Sequence, residues 1–156
     1  MLINKMKTEE CRDFLAHHEI GRLATARDGQ PYIVPIYFVY ESDLLYGFTT
    51  PGQKVEWMRA NPLICVQVDE IATLDSWTSV VVLGRYEEIP ETREYSAERN
   101  KAQSLLLKRA SWWMTAYAAS VARGHDEAPL PVFYRIRIGE ISGLRSSPEG
   151  APVRVR

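Results

Sequence analysis

A mainly β, α+β fold built from antiparallel strands is predicted by three observations. Runs rich in β-branched and aromatic residues recur at 32–40, 44–49, 63–68, 79–83 and 132–138. Turn chemistry joins several of them: Asp28-Gly29 supplies the positive φ angles of a tight hairpin, and Glu41-Ser42-Asp43 is a second polar turn. Helical spacing is found only in separate stretches between these runs and before the first of them. The 156 residues, 46% hydrophobic and 25% charged, suit one domain with one core and exclude wholesale disorder.

In chain order, Thr8 reads as an N-cap with Glu9 and Glu10 in the first turn, and Cys11, Phe14 and Leu15 share the apolar face of a helix over 8–17. Strands follow at 22–26 and 32–40. The second contains Pro35, which cannot donate a ladder hydrogen bond, so its nitrogen must face an edge, a bulge or a ligand. A third strand at 44–49 completes a meander. Residues 53–60 form a short helix, with Val55 and Met58 three apart and Asn61-Pro62 as its stop.

The compact runs 63–68 and 79–83 read as buried strands separated by the polar stretch 69–78, the second continuing past Gly84 to Ile89. Pro90-Glu91 opens a helix over 92–107, and 110–123 is a further Ala-rich helical stretch carrying Trp112, Trp113 and Tyr117. Adjacent tryptophans cannot share one helix face, so one packs inward and the other meets a partner or pocket. A last strand alternates Val132, Tyr134, Ile136 and Ile138 against Phe133, Arg135 and Arg137. The domain is expected to span 1–145, with 146–156 a flexible tail too poor in apolar residues to pack.

Charge and motifs exclude more than they assign. Nineteen Lys and Arg against 20 Asp and Glu give a net charge of -1, which offers no reason to expect nucleic acid. No apolar run reaches the roughly 20 residues of a membrane span and the N-terminus has no signal-peptide core, so a cytoplasmic protein is expected. The two cysteines, Cys11 and Cys65, are far apart and read as reduced thiols, with no zinc signature. GxSxG, HExxH, GxxxxGKS/T and GxGxxG are absent. His17, His18 and His125 receive no catalytic role, and no catalytic residue or metal ligand is assigned.

One junction carries chemistry. A strand ends in Thr49-Thr50, and a helix then begins with Gln53 and Lys54. Free backbone N–H groups, hydroxyls and one ammonium at a helix start are the requirements of a phosphate site. The same residues also fit a threonine cap followed by a solvated lysine.

Several stretches, in order, resemble the flavin-binding split β-barrel proteins related to pyridoxamine 5'-phosphate oxidase, and within them the 5-nitroimidazole-reductase-like branch. They are Gly21-Arg22-Leu23-Ala24-Thr25 with Asp28-Gly29-Gln30-Pro31-Tyr32, Val34-Pro35-Ile36-Tyr37-Phe38, Gly52-Gln53-Lys54 with Asn61-Pro62, Val68-Asp69-Glu70, the run from Trp77 to Gly84, and Pro131-Val132-Phe133-Tyr134-Arg135-Ile136. The resemblance spans about 6–144 and implies an antiparallel Greek-key split β-barrel with peripheral helices. It implies FMN as cofactor, with Val34, Pro35 and Ile36 beside the isoalloxazine and Thr49, Thr50, Gln53 and Lys54 near the phosphate. Trp77 and Ser79 would come from the second subunit of a homodimer.

Relatives often carry a second basic or imidazole group beside the phosphate lysine, where this chain has Gly52-Gln53. The implied activity is flavin-dependent oxidoreduction of a small nitroaromatic or quinone-like oxidant, with a nicotinamide donor docking transiently. The alternative is a protein that binds, stores or senses flavin, haem or a deazaflavin without turnover.

Overall fold

The computed structural model describes residues 1–109 and 131–148. Its elements run β1 (Leu2–Lys5), α1 (Thr8–Ala16), β2 (Ile20–Arg27), β3 (Gln30–Glu41), β4 (Leu44–Thr49), α2 (Gln53–Ala60), β5 (Leu63–Thr73), β6 (Ser76–Ile89), α3 (Ser96–Arg109) and β7 (Val132–Ser147). All strand pairings are antiparallel, in the order β1-β7-β4-β3-β2-β5-β6, and a further β6–β7 pairing closes the sheet into a barrel. This is the expected split barrel with helices at its periphery.

Both predicted hairpin turns use left-handed backbone. Asp28 and Gly29 have φ of 51° and 77°, and Ser42 and Asp43 have φ of 51° and 60°, the paired positive angles that match the twist of the flanking strands. Inside the barrel, alternate residues of β2, β5, β6 and β7 form the core, with Leu23, Val66, Val68, Val80, Val82 and Ile136 fully buried. Tyr134 fits because Gly47 faces it across β4: a Cβ on Gly47 would lie 2.3 Å from the Tyr134 ring. Burial holds the Tyr134 hydroxyl well above the usual tyrosine range.

Helix α1 closes one end of the barrel with Cys11 and Leu15, and α2 closes the other with Val55 and Met58. A second, outer core lies under α3, where Ala102 and Leu106 pack on Val39, Tyr46, Ile89 and Phe133.

Several expectations are corrected. Lys7, not Thr8, is the N-cap of α1, and its N–H donates to Glu10 Oε2 at 2.8 Å. The runs at 63–68 and 79–83 are buried on one face only: Ile64 is 5% exposed while Leu63 is 64% and Leu83 is 48% exposed. The polar stretch between them is itself strand, because β5 and β6 continue pairing out to Thr73 and Ser76. Strand β1 was not foreseen; it pairs with the end of β7, Leu2 opposite Ser147 and Ile3 opposite Ser146.

Strand β7 therefore enters the stretch expected to be a tail. Ser146 is 3% exposed and its hydroxyl donates to the Asp75 carbonyl at 2.9 Å. Helix α3 starts at Ser96 rather than 92. Trp112, Trp113, Tyr117, His125 and the expected helix at 110–123 lie outside the described residues, as do 149–156.

Candidate functional site

The site begins at a break in hydrogen bonding. Strand β3 pairs with β4 only from Phe38 opposite Gly47 to Glu41 opposite Leu44, while the earlier half of β3 pairs with β2 alone. Strand β4 nevertheless runs on to Thr49 and pairs there with Val132 of β7. Between β3 and the end of β4 the barrel is split.

The Phe38 N–H donates to Glu19 O at 2.8 Å, on the β2 side. In a regular antiparallel strand the N–H and C=O of one residue point the same way and the direction alternates, so residues 31, 33, 35 and 37 turn theirs toward the split. Two of those four are Pro31 and Pro35. Of the edge, bulge or ligand that a proline nitrogen in a strand requires, Pro35 has the edge. An edge with prolines at alternate outward positions has too few donors to accept another strand. It keeps its carbonyls.

Helix α2 enters beside this split. Its N-cap is Gly52, and no side chain caps it. Neither threonine does so: Thr49 Oγ1 donates to the Thr50 carbonyl at 3.3 Å, and Thr50 and Gln53 are exposed. With Val55 and Met58 turned into the barrel, the 100° step of a helix places Lys54 and Trp57 on one flank and Glu56 and Arg59 on the other. The neighbours agree. Arg59 donates to Glu88 Oε2 at 2.8 Å and Oε1 at 2.7 Å on the β6 side, whereas the Trp57 ring lies 5.5 Å from that of Tyr32 on β3. Lys54 thus belongs to the flank that faces the split.

Lys54 is half-buried, and burial lowers its ammonium below the usual lysine range. No carboxylate among the described residues pairs with it, although Arg12, Arg22, Arg59, Arg99, Lys101, Arg135 and Arg137 are all so paired. A desolvated cation without a counter-ion is costly by itself and favours an anion brought from outside. A ligand phosphate fits that need, and the donor-poor edge of β3 fits a planar ring better than it fits a strand.

The other expected residues divide. Val34 packs against the core, Ile36 is buried and Pro35 is exposed on the opposite face. Three successive strand residues cannot present their side chains to one ring, so the part of this segment open to a ring is its main-chain edge. Trp77 and Ser79 lie toward the other end of β6. Trp77 pairs with Ser146, whereas Thr49 pairs with Val132, so most of the 16-residue β7 separates them. Gln67 Nε2 donates to the Ser79 hydroxyl at 3.1 Å, and the Arg22 guanidinium donates to the Asp69 carboxylate beside it. One chain brings Thr49, Thr50, Gln53 and Lys54 to the split, but not Trp77 or Ser79.

Sequence reasoning missed Tyr32 and Trp57 as aromatic neighbours of the Lys54 flank, and Pro31 as the partner of Pro35. The signals were present: Lys54 and Trp57 are three apart on a helix, and the prolines are four apart on a strand.

A barrel opened along one strand edge, with a cation that no described carboxylate pairs at the mouth of the opening, defines the class to which the comparisons lead. The family model described as pyridoxamine 5'-phosphate oxidase matches residues 7–145, and the chain belongs to that family. It is 41% identical over 143 residues to an uncharacterised protein of Rhizobium meliloti (strain 1021), covering 92% of this chain and 95% of that one. It is 42% identical to an FAD-binding protein from Mesorhizobium loti whose crystal structure superposes with a TM-score of 0.77, over 94% of this chain and 100% of the other. The FAD and haem binding protein of Mycobacterium smegmatis shares the fold at 20% identity and a TM-score of 0.63, over 97% of this chain and 76% of that one.

Proposed function

We propose that the protein is a flavin-dependent oxidoreductase acting on a small organic oxidant of the nitroaromatic or quinone type, with a flavin nucleotide at the split of the barrel. The observation that carries this reading is the half-buried Lys54 ammonium, unpaired among the described residues and facing the proline-bearing edge of β3. The Mesorhizobium loti relative, an FAD-binding protein by its description, supports a flavin. FMN is the smallest flavin that brings a phosphate to Lys54, and FAD carries the same group.

When bound, the flavin supplies the electron transfer, and the protein supplies binding and orientation. Lys54 holds the phosphate. The β3 edge offers main-chain carbonyls and the few remaining N–H groups to the ring, and the bulk of Val34 and Ile36 closes the space behind it. No side chain needs to move a proton for a hydride to reach the ring. A nicotinamide donor would dock transiently over the flavin, because the chain has no GxGxxG segment to hold one.

The reading makes the protein a cytoplasmic homodimer. Trp77 and Ser79 are too far along β6 to serve their own chain's split, and a second subunit would bring them to it. Exposed Ile71 (68%) and Leu144 (42%) lie near them and suit burial against a copy. A haem ligand fits less well than a flavin. His18, stacked on Phe14 at 3.9 Å, has Nδ1 on the Phe14 carbonyl at 2.7 Å and Nε2 toward Glu70 at 3.8 Å, and Cys11 is fully buried.

The test is the absorbance spectrum of freshly purified protein, followed by anaerobic reduction and reoxidation with a nitroaromatic. A bound flavin reduced by a nicotinamide and reoxidised by the acceptor is the expected result. A flavin that binds and is never reoxidised faster than free flavin would favour the storage or sensing alternative.

A further inference from the structure

The Lys54 flank of α2 carries one more feature. Trp57 lies one helical turn beyond Lys54 on the same flank, and its ring meets Tyr32 at a centroid distance of 5.5 Å and an interplanar angle of 54°. Both rings are partly exposed, although aromatic rings of this size contribute most when buried. Tyr32 stands on β3 next to Pro31, where the split begins. The other flank of the helix is finished by the Arg59–Glu88 pair. The Lys54 flank thus presents a cation without a counter-ion among the described residues and, next to it, two half-buried aromatic rings.

We propose that Tyr32 and Trp57 form a shelf for a purine joined through a diphosphate to the group held at Lys54, so that the site selects FAD over FMN. The inference rests on the flavin reading above. An isoalloxazine ring accounts for the β3 edge and one phosphate accounts for Lys54, but neither accounts for two half-buried rings one helical turn beyond the lysine. An adenine does, because any base offers a π-face to an aromatic platform and such stacking tolerates a tilted pair. The diphosphate joins the two, and its charge suits a site with one ammonium and the uncapped first turn of α2.

The experiment is calorimetric titration of the full-length protein, stripped of ligand, with FMN and FAD, repeated on Trp57→Leu and Tyr32→Leu. Wild type should bind FAD roughly tenfold or more tighter than FMN, and each variant should lose most of that advantage while holding FMN within about threefold of wild type. Equal affinity of wild type for FMN and FAD would overturn the shelf and leave the flavin reading standing. So would an equal loss of both flavins in the variants, which would make Trp57 and Tyr32 supports of the helix.

The two substitutions sit on different elements, so one that fails to fold leaves the other to decide. If wild type binds neither flavin, the flavin reading and the choice of FAD fall together, whereas FAD bound no better than FMN brings down the choice alone.

Discussion

The two flanks of α2 carry the same kind of residue in opposite circumstances. Arg59 meets Glu88 through two short hydrogen bonds, and Glu88 in turn accepts from the Tyr86 hydroxyl at 3.1 Å. Lys54, which burial drives below its usual range, has no carboxylate among the described residues. The first charge ties the helix to β6 and is finished within the chain. The second costs free energy in the chain alone and recovers it only with something bound. A charge that serves the fold has its partner in the fold, and one that serves a ligand is left without. The contrast extends to the strands, since β6 is paired on both sides and β3 has an edge with Pro31 and Pro35 on its open side.

The largest effect should come from removing the unfinished charge. Lys54→Ala deletes a charge-assisted contact to phosphate, worth roughly 1.5–3 kcal/mol when desolvated, which is about 10- to 150-fold in affinity. FMN should weaken by that factor and riboflavin, which has no phosphate, should hold its affinity, as read by fluorescence titration. Equal weakening of both would make Lys54 a packing residue and dissolve the comparison.

Stability should move in opposite directions on the two flanks. Lys54→Met replaces a penalised ammonium by an apolar side chain of similar length, so ligand-free protein should gain up to about 1 kcal/mol. Arg59→Met removes a pair whose side chains are 52% and 30% exposed, and solvent screening limits its loss to about 1 kcal/mol or less. Thermal melts without flavin measure both. Two losses, or two gains, would mean that the flanks do not differ as their partners suggest.

How far this was legible in the sequence depends on which interactions decided each element. Turns at Asp28-Gly29 and Ser42-Asp43, the stop at Asn61-Pro62 and the 53–60 helix are set by local chemistry and were readable at once. The extent of β5, β6 and β7 was not, because polar residues such as Asp69 and Thr78 stay in strand through cross-strand pairing that no local pattern shows. Strand β1 exists only because β7 is there to receive it. At the site, Lys54 was readable from a strand-to-helix junction. What made it informative, the absence of a counter-ion beside a split in the barrel, is a property of three dimensions. So is the distance of Trp77 and Ser79 from that split in one chain.

A smaller, pH-dependent effect marks a finished site elsewhere. Glu87 accepts from Arg137 Nε at 2.9 Å and Arg135 Nε at 2.7 Å, and these hydrogen bonds, Arg137 first, hold its carboxyl below the usual range. A depressed folded-state value means that the stabilisation is complete above the unfolded glutamate value of about 4.3 and is lost as pH falls through the folded one. Glu87→Gln should therefore cost a few tenths to about 1 kcal/mol at neutral pH. The gap to wild type should close as urea denaturation is repeated toward about pH 3. A gap that persists there would assign the loss to shape rather than charge.

The smallest effect expected is that of the histidines on flavin reduction. His17 and His18 sit at the C-terminal end of α1, which closes the end of the barrel opposite to α2. Each uses Nδ1 on a backbone carbonyl of its own helix, Asp13 at 2.8 Å and Phe14 at 2.7 Å, so both are occupied in ending the helix. His17→Gln and His18→Gln should leave the rate of anaerobic flavin reduction within a few-fold of wild type, with an unchanged pH profile. Stopped flow at saturating reductant is the right measurement, since turnover can be limited by product release. General acid–base help is typically worth at least about 100-fold, so a loss of that size in a variant that still holds flavin would bring α1 to the chemistry. It would also mean that this end of the barrel, which the dimer reading brings to the partner's split through Trp77 and Ser79, supplies an imidazole to the chemistry as well.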